Sequence, residues 1–312
     1  MRCLVTGCAG FIGSTLSEAL ISDGHSVIGV DCFTDYYAKS LKLANLRGIR
    51  RSKGFKFIEA DLASAKLSPV VTGVDAVFHL AAQPGVRASW GASFTRYIND
   101  NILATQRLLE ALKGRKLEKL VYASSSSIYG DAEVLPTPED VTPRPVSPYG
   151  ATKLAGEHLC NVYFRNYGLP AVSLRYFTVY GPRQRPDMAF NRFISRISAG
   201  REIEIFGDGT QRRDFTFVGD VVAGTMLALR AKPGSTYNVG AGRTVTLNEA
   251  IAIAESLIGK KAKVRRRETA TGDVRSTSAD ISRIRDELGY SAQTPLEDGL
   301  NAQVSYQLGR KP

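Results

Sequence analysis

The sequence predicts an α/β protein: a doubly wound parallel sheet with helices on both faces, followed by a smaller C-terminal α/β part. Three observations carry this. Short apolar runs alternate with helix-period segments through the first half of the chain. A glycine-rich turn, Gly7-Cys8-Ala9-Gly10-Phe11-Ile12-Gly13, joins the first run to the first helical segment. After about Gly181 the alternation gives way to mixed segments with Gly- and Pro-containing loops.

Residues 3–6, 26–31, 56–60, 76–80 and 119–124 read as strands. Residues 11–22, 38–46 and 94–113 read as the helices between them, and strand–helix alternation of this kind builds parallel strands with crossover helices. Residues 171–176 read as one more buried strand. Beyond them, residues 203–206, 237–239 and 245–258 are mixed elements of a second part. The expected division is a first domain over residues 1–180, with later returns of the chain into it, and a second over 181–312. There is no internal repeat or low-complexity tract.

The chain has 312 residues, 43% hydrophobic and 23% charged, the composition of a globular protein. No apolar run approaches the ~18 residues of a membrane span. Residues 1–7 run into a strand and a glycine turn rather than a leader, so a cytoplasmic location without membrane contact is expected. Cys3, Cys8, Cys32 and Cys160 are scattered, as are the three histidines, which predicts neither a disulfide framework nor a metal site. The net charge of +11 favours an anionic partner. The densest basic run, residues 261–267, is a solvated face or an aid to diphosphate binding; no nucleic-acid-binding motif accompanies it.

The glycine turn has the G-x-x-G-x-x-G spacing of a dinucleotide site. Glycine lets the chain turn tightly, lets its backbone approach a pyrophosphate, and lets the helix pack close to the strand. The helix N-terminus then offers free N–H groups and partial positive charge to the phosphates. Asp31, ending the second strand, is placed to bond the adenosine ribose hydroxyls and to repel a 2′-phosphate, which favours NAD over NADP. Asp61-Leu62 after the third strand falls at the adenine edge, or is a helix cap.

The fifth strand closes in Ser124-Ser125-Ser126-Ser127-Ile128-Tyr129-Gly130, and Tyr149-Gly150-Ala151-Thr152-Lys153 opens a helical segment. The i, i+4 spacing puts phenol and ammonium on one helix face. An unperturbed tyrosine, with pKa about 10, is a poor base at neutral pH. A nearby lysine cation and a cationic cofactor ring favour the phenolate, which can take a proton from a sugar hydroxyl.

These residues carry a resemblance. The chain is similar to the extended short-chain dehydrogenase/reductase family of NAD-dependent sugar epimerases and dehydratases. The match spans nearly the whole chain: the glycine turn, His79-Leu80-Ala81-Ala82-Gln83, the serine run, Ser147-Pro148-Tyr149-Gly150 with Lys153, Arg175-Tyr176-Phe177-Thr178, and Arg213-Asp214-Phe215-Thr216-Phe217-Val218. It implies a Rossmann domain holding NAD and a smaller domain holding a nucleotide sugar. It places NAD on Gly7, Gly10, Phe11, Ile12, Gly13, Asp31, Asp61, Leu62, Leu80, Ala81, Ala82, Gln83, Tyr149, Lys153 and Tyr176. Ser125, Tyr149 and Lys153 are the implied catalytic residues.

Within the family, related 4,6-dehydratases carry Asp-Glu at the positions of Ser126 and Ser127, and the decarboxylases carry Glu at the second. Two serines here leave oxidation and re-reduction at C4, which is epimerisation. Residues 180–189 and 79–87 resemble the UDP-glucuronate 4-epimerase branch. UDP-glucose 4-epimerases usually have Asn at the Thr178 position; that neutral-sugar activity, or a relaxed one, is the alternative. Oxidised glucuronate is a β-keto acid prone to lose CO₂, so Ser126, Ser127 and Thr178 are expected to restrain its carboxylate, with Arg87 and Arg185 as charge partners. Arg183 reads equally as a surface arginine. Arg213 is expected at the diphosphate, and Arg192, Phe206 and Asp273 at the uridine. NAD is expected to stay bound, passing transiently through NADH. A homodimer through the helices at 94–113 and 147–167 is implied.

Overall fold

The computed structural model describes residues 1–268, 272 and 274–309. The first half lays down β1 (Arg2–Thr6), α1 (Phe11–Ser22), β2 (Ser26–Asp31), α2 (Lys39–Asn45), β3 (Phe55–Glu59), α3 (Ser68–Val71) and β4 (Ala76–His79). Then come α4 (Phe94–Tyr97), a π-helical stretch (Ile98–Leu103), α5 (Ala104–Leu112), β5 (Lys119–Ser125), α6 (Pro148–Tyr167) and β6 (Ala171–Tyr176). The second half adds β7 (Thr178–Tyr180), α7 (Ala189–Ser198), β8 (Glu202–Phe206), β9 (Arg212–Arg213), β10 (Phe215–Phe217), α8 (Val218–Leu227) and β11 (Thr236–Val239). It closes with β12 (Val245–Thr246), α9 (Leu247–Ile258), β13 (Lys263–Arg267), α10 (Ser282–Leu288) and α11 (Leu296–Leu308).

Seven strands form one sheet in the order β11-β6-β5-β4-β1-β2-β3. Every pairing in it is parallel. All seven residues of β5 are buried, so the strand reads as an apolar run rather than an alternating one. Alternation shows instead in the choice of face. Cys3 and Val5 of β1 pack with Phe11, Leu16 and Leu20 of α1, while Leu4 packs with Leu108 and Leu112 of α5 on the other side. The order reverses between β1 and β4, and the crevice beyond their C-terminal ends is where such sheets take ligands.

After β7 the chain packs α7, β8, α9 and α11 around a separate core of Phe190, Ile194, Ile203, Ala250, Ile251 and Leu300. Within that stretch, β11 returns to extend the large sheet beside β6, and α8 packs against α1. Residues 94–113, expected as one helix, are broken by the π stretch. Asn101 within it turns inward, accepting from the Gln83 amide at 2.7 Å and donating to Thr152 Oγ1 at 2.9 Å. Among the described residues, no helix is long and apolar enough to cross a membrane.

Candidate active site

A cavity opens over the C-terminal ends of β1, β2, β4 and β5. Its floor is the glycine turn. A methyl group on Gly13 would stand 2.9 Å from the Gly7 carbonyl carbon and 3.1 Å from Cys8 Cα, both fixed backbone. Gly7 itself takes φ +70°, and a methyl there would meet the backbone of Ala81 at 2.9 Å. Gly10 caps α1 without a side-chain bond, and no acidic residue sits in the first turn. The helix therefore presents bare N–H groups and undiminished positive charge.

Asp31 stands at the mouth of this turn. Its carboxylate accepts from Phe33 N at 2.8 Å and Ala9 N at 3.2 Å. Burial raises its pKa, with those two bonds and the Lys42 charge opposing. Asp61 lines the cavity too, yet both its oxygens are engaged locally, by Ala63 N at 2.8 Å and Ser64 Oγ at 3.1 Å. These local bonds are those of a cap. The cradle, the uncapped helix and the Asp31 carboxylate together fit a dinucleotide with free ribose hydroxyls. Of the residues expected at the cofactor, all but Gln83 line this cavity; Gln83 lines a neighbouring one with Tyr36 and Tyr97.

The catalytic end is built by β5 and α6. Ser147 caps α6 by accepting from Gly150 N at 3.1 Å, which sets Tyr149 in the first turn. Gly150 has no room for a side chain: a methyl would overlap the Ser127 carbonyl. The start of α6 is thus seated on the serine turn, which brings Tyr149 to Ser125. Ser125 ends β5 opposite Tyr176, and its hydroxyl accepts from Ser127 N at 3.1 Å. Ser126 and Ser127 form the short 3-10 turn that follows. Burial raises the Tyr149 pKa, while a hydrogen bond from Ser125 and the charge of Arg185 pull it down. Lys153 is buried with Nζ 4.5 Å from the centre of the Tyr122 ring, and its pKa is lowered by burial to about 8. His79, bonded to Thr6 and Thr105, is pushed down to about 3 by burial and stays neutral.

The residues expected at the sugar nucleotide come from segments far apart in sequence. Arg185 borders the cavity beside Tyr149 and pairs with Asp187 at 3.0 Å, while Asp187 also accepts from Tyr36 Oη at 3.1 Å. Arg183 is half-buried at φ +69° and pairs with Glu18 of α1 at 2.7 Å, so it ties this segment to the glycine-turn helix. Thr178 opens β7, two residues past Tyr176. Arg87 lies over the Phe206 ring at 3.8 Å, a contact between the two halves of the chain. Arg192 faces Glu204 at 3.8 Å, and Arg213 donates to the carbonyls of Val274 at 2.6 Å and Arg275 at 3.0 Å. Asp273 lies outside the described residues. Sequence reading missed Lys42, Tyr36 and Asp100, which also line the cavity. Lys42 is buried with Nζ on Thr34. Burial and Asp61 push Asp100 up to about 6. An amphipathic helix containing lysine and a loop tyrosine give no local signal of such placement.

Comparison with known proteins adds names to this geometry. The family model described as "NAD dependent epimerase/dehydratase family" matches residues 3–240. A UDP-glucuronate 4-epimerase of Thermodesulfobacterium geofontis (strain OPF15) is 42% identical over 308 residues, covering 97% of this chain and 95% of that protein. A Bacillus subtilis (strain 168) protein called "Uncharacterized UDP-glucose epimerase YtcB" is 46% identical over 310 residues, covering 98% of each. The crystal structure of a Bacillus cereus UDP-glucuronic acid 4-epimerase with UDP-glucuronic acid and NAD superposes with a TM-score of 0.96 at 44% identity, covering 99% of both chains.

Proposed function

Because the chain belongs to the NAD-dependent epimerase/dehydratase family, we propose that it interconverts UDP-glucuronate and UDP-galacturonate by inverting C4 of the sugar. The carrying observation is the turn after β5: Ser125 hydrogen-bonds Tyr149, Ser126 and Ser127 follow it in the 3-10 turn, and no carboxylate stands in that turn. Dehydration or decarboxylation needs an added acid–base group there; epimerisation does not. The relatives named for the uronate reaction support the same sugar.

When bound, NAD would supply the hydride acceptor and donor at C4, and inversion requires the 4-keto sugar to present its other face before hydride returns. Tyr149 Oη receives the C4 hydroxyl proton on oxidation and returns it on reduction. Ser125 hydrogen-bonds the same sugar oxygen and, with Arg185, eases ionisation of the buried phenol. Lys153, four residues on, holds the cofactor ribose from the same helix face. Asp31 holds the adenosine ribose through its carboxylate. Ser126, Ser127 and Thr178 bond the C6 carboxylate of the 4-keto sugar and keep the C5–C6 bond out of line for loss of CO₂. Arg213 and Arg192 serve the diphosphate and uridine, with Phe206 against the base. We assign residues 1–180, with the returning β11, to the cofactor and most of 181–312 to the sugar nucleotide.

We further propose a cytoplasmic homodimer. Phe94, Ile98 and Leu103 on one helical segment and Val162 and Tyr167 on α6 are large exposed apolar side chains, which a second copy would cover.

The test is NMR of the purified protein with UDP-glucuronate and no added NAD. UDP-galacturonate appears without net NADH if the reading is right. UDP-xylose or a 4-keto pentose refutes it. Conversion of UDP-glucose to UDP-galactose alone moves the assignment to the neutral sugar, the activity named in the Bacillus subtilis relative. Light scattering of the same sample checks the dimer.

A further inference from the structure

Helix α6 carries a third charged residue on the face of Tyr149 and Lys153. Glu157 lies four residues beyond Lys153 and is 8% exposed. Both its oxygens are used. Oε1 accepts from Arg175 Nη2 at 2.6 Å, and Oε2 accepts from Ser124 Oγ at 2.8 Å and Arg175 Nε at 3.2 Å. Arg175 is paired with Ser124 across the β5–β6 ladder and is itself buried. Its remaining nitrogen donates to Tyr129 Oη and to the Glu139 carbonyl, each at 2.8 Å. Tyr129 Oη in turn donates to Asn238 Oδ1 of β11 at 2.7 Å.

Ser124 and Tyr129 bracket the turn that holds Ser125, Ser126 and Ser127. Both brackets lead back to one carboxylate: Ser124 directly, Tyr129 through Arg175. A buried carboxylate bonded this fully has one position. A shift of the turn by even 1 Å would misplace the serine hydroxyls relative to Tyr149.

We propose that Glu157 is a positioning residue of the reaction, locking the serine turn against α6 one helical turn from Lys153. The catalytic readout rests on the epimerase reading above; the lysine readout does not. Lys153 lies over the Tyr122 ring of β5, and its charge is felt by His79 of β4 and feels Cys160 and Glu157 of its own helix. Glu157 and Cys160 oppose the effect of burial on its protonation, and Glu157 is the carboxylate of the two.

The experiment uses full-length holoenzyme with UDP-glucuronate. Glu157→Gln keeps the size and removes the charge. Its kcat falls at least ten-fold while KM and retained NAD stay within two-fold of wild type, and the alkaline limb of the kcat profile moves to lower pH. Ser124→Ala keeps every charge and removes one bond; it lowers kcat several-fold and leaves the pH limb in place. A Glu157→Gln protein that melts earlier but keeps wild-type kcat and pH profile overturns the proposal, as does a Ser124→Ala protein with unchanged kcat. If Glu157→Gln fails to fold, the Ser124→Ala result decides. An inert wild type sinks the epimerase reading instead. In that case NMR titration of labelled lysine tests Glu157 without turnover: a Lys153 midpoint unmoved in Glu157→Gln refutes it.

Discussion

Replacing Gly13 by alanine tests the cofactor cradle most directly. The added methyl would stand 2.9 Å from the Gly7 carbonyl carbon, 3.1 Å from Cys8 Cα and closer still to the Gly7 oxygen. Ordinary contact begins near 3.4 Å, and these atoms belong to a backbone turn that also supports Ala81. No side chain can swing away, so α1 and the turn must separate. Overpacking of this kind costs about 1–3 kcal/mol. For a protein of this size, about 2 kcal/mol lowers Tm by roughly 3 °C. The same displacement moves the α1 amides away from the pyrophosphate. Losing two charge-assisted bonds at about 1.5 kcal/mol each weakens cofactor binding roughly 100-fold. The assay is the NAD content of purified protein, read by release on denaturation, together with differential scanning calorimetry. Gly54→Ala is the control, because a methyl there meets nothing closer than 3.6 Å. Full NAD occupancy and an unchanged Tm in Gly13→Ala would refute the reasoning.

Asp31→Asn removes the charge that repels a 2′-phosphate. The NADP:NAD affinity ratio rises at least ten-fold in calorimetric titration of stripped protein, and an unchanged ratio counts against the ribose assignment. Acid stability follows His79. Its folded pKa is about 3 and its ordinary value 6.5, so between these the unfolded state binds the extra proton. Stability therefore falls as pH drops through 6.5 toward 3, by up to about 1.4 kcal/mol per pH unit from this group. Denaturant melts of wild type and His79→Gln between pH 7 and 4 should differ by that slope; parallel curves disprove it. Ser127→Ala combined with Thr178→Val should release CO₂ from UDP-glucuronate while epimerisation falls. If neither changes, these hydroxyls do not restrain the carboxylate.

The elements that drive the fold were legible because their signals are local. The helix at 11–22 and the strands at 26–31 and 171–176 appear with the expected bounds. Apolar runs and glycine spacing depend on neighbours within a few residues, and burial of both sheet faces makes those runs unmistakable. The helix expected at 94–113 is divided because Asn101 answers polar groups at Gln83 and Thr152, which lie 18 and 51 residues away. No window along the chain contains that demand. The pairing of Glu157 with Arg175 escaped notice for the same reason, although Arg175 itself belongs to the resemblance. A lone arginine in the apolar run of β6 was the available signal, since a buried guanidinium requires a buried carboxylate.

By itself, the sequence determined the parallel sheet, the glycine cradle with Asp31, and the pairing of Tyr149 with Lys153 on one helix face. Each follows from spacing along a strand, a turn or a helix, where backbone geometry alone converts sequence separation into distance. Only the tertiary structure brought Arg185, from the segment after β7, to the cavity beside Tyr149. It alone seated the serine turn on Gly150, and it alone tied that turn to Glu157 and Arg175. Those relations join residues dozens of positions apart, and their strength comes from burial, which lowers the local dielectric and leaves no water to satisfy an unpaired group.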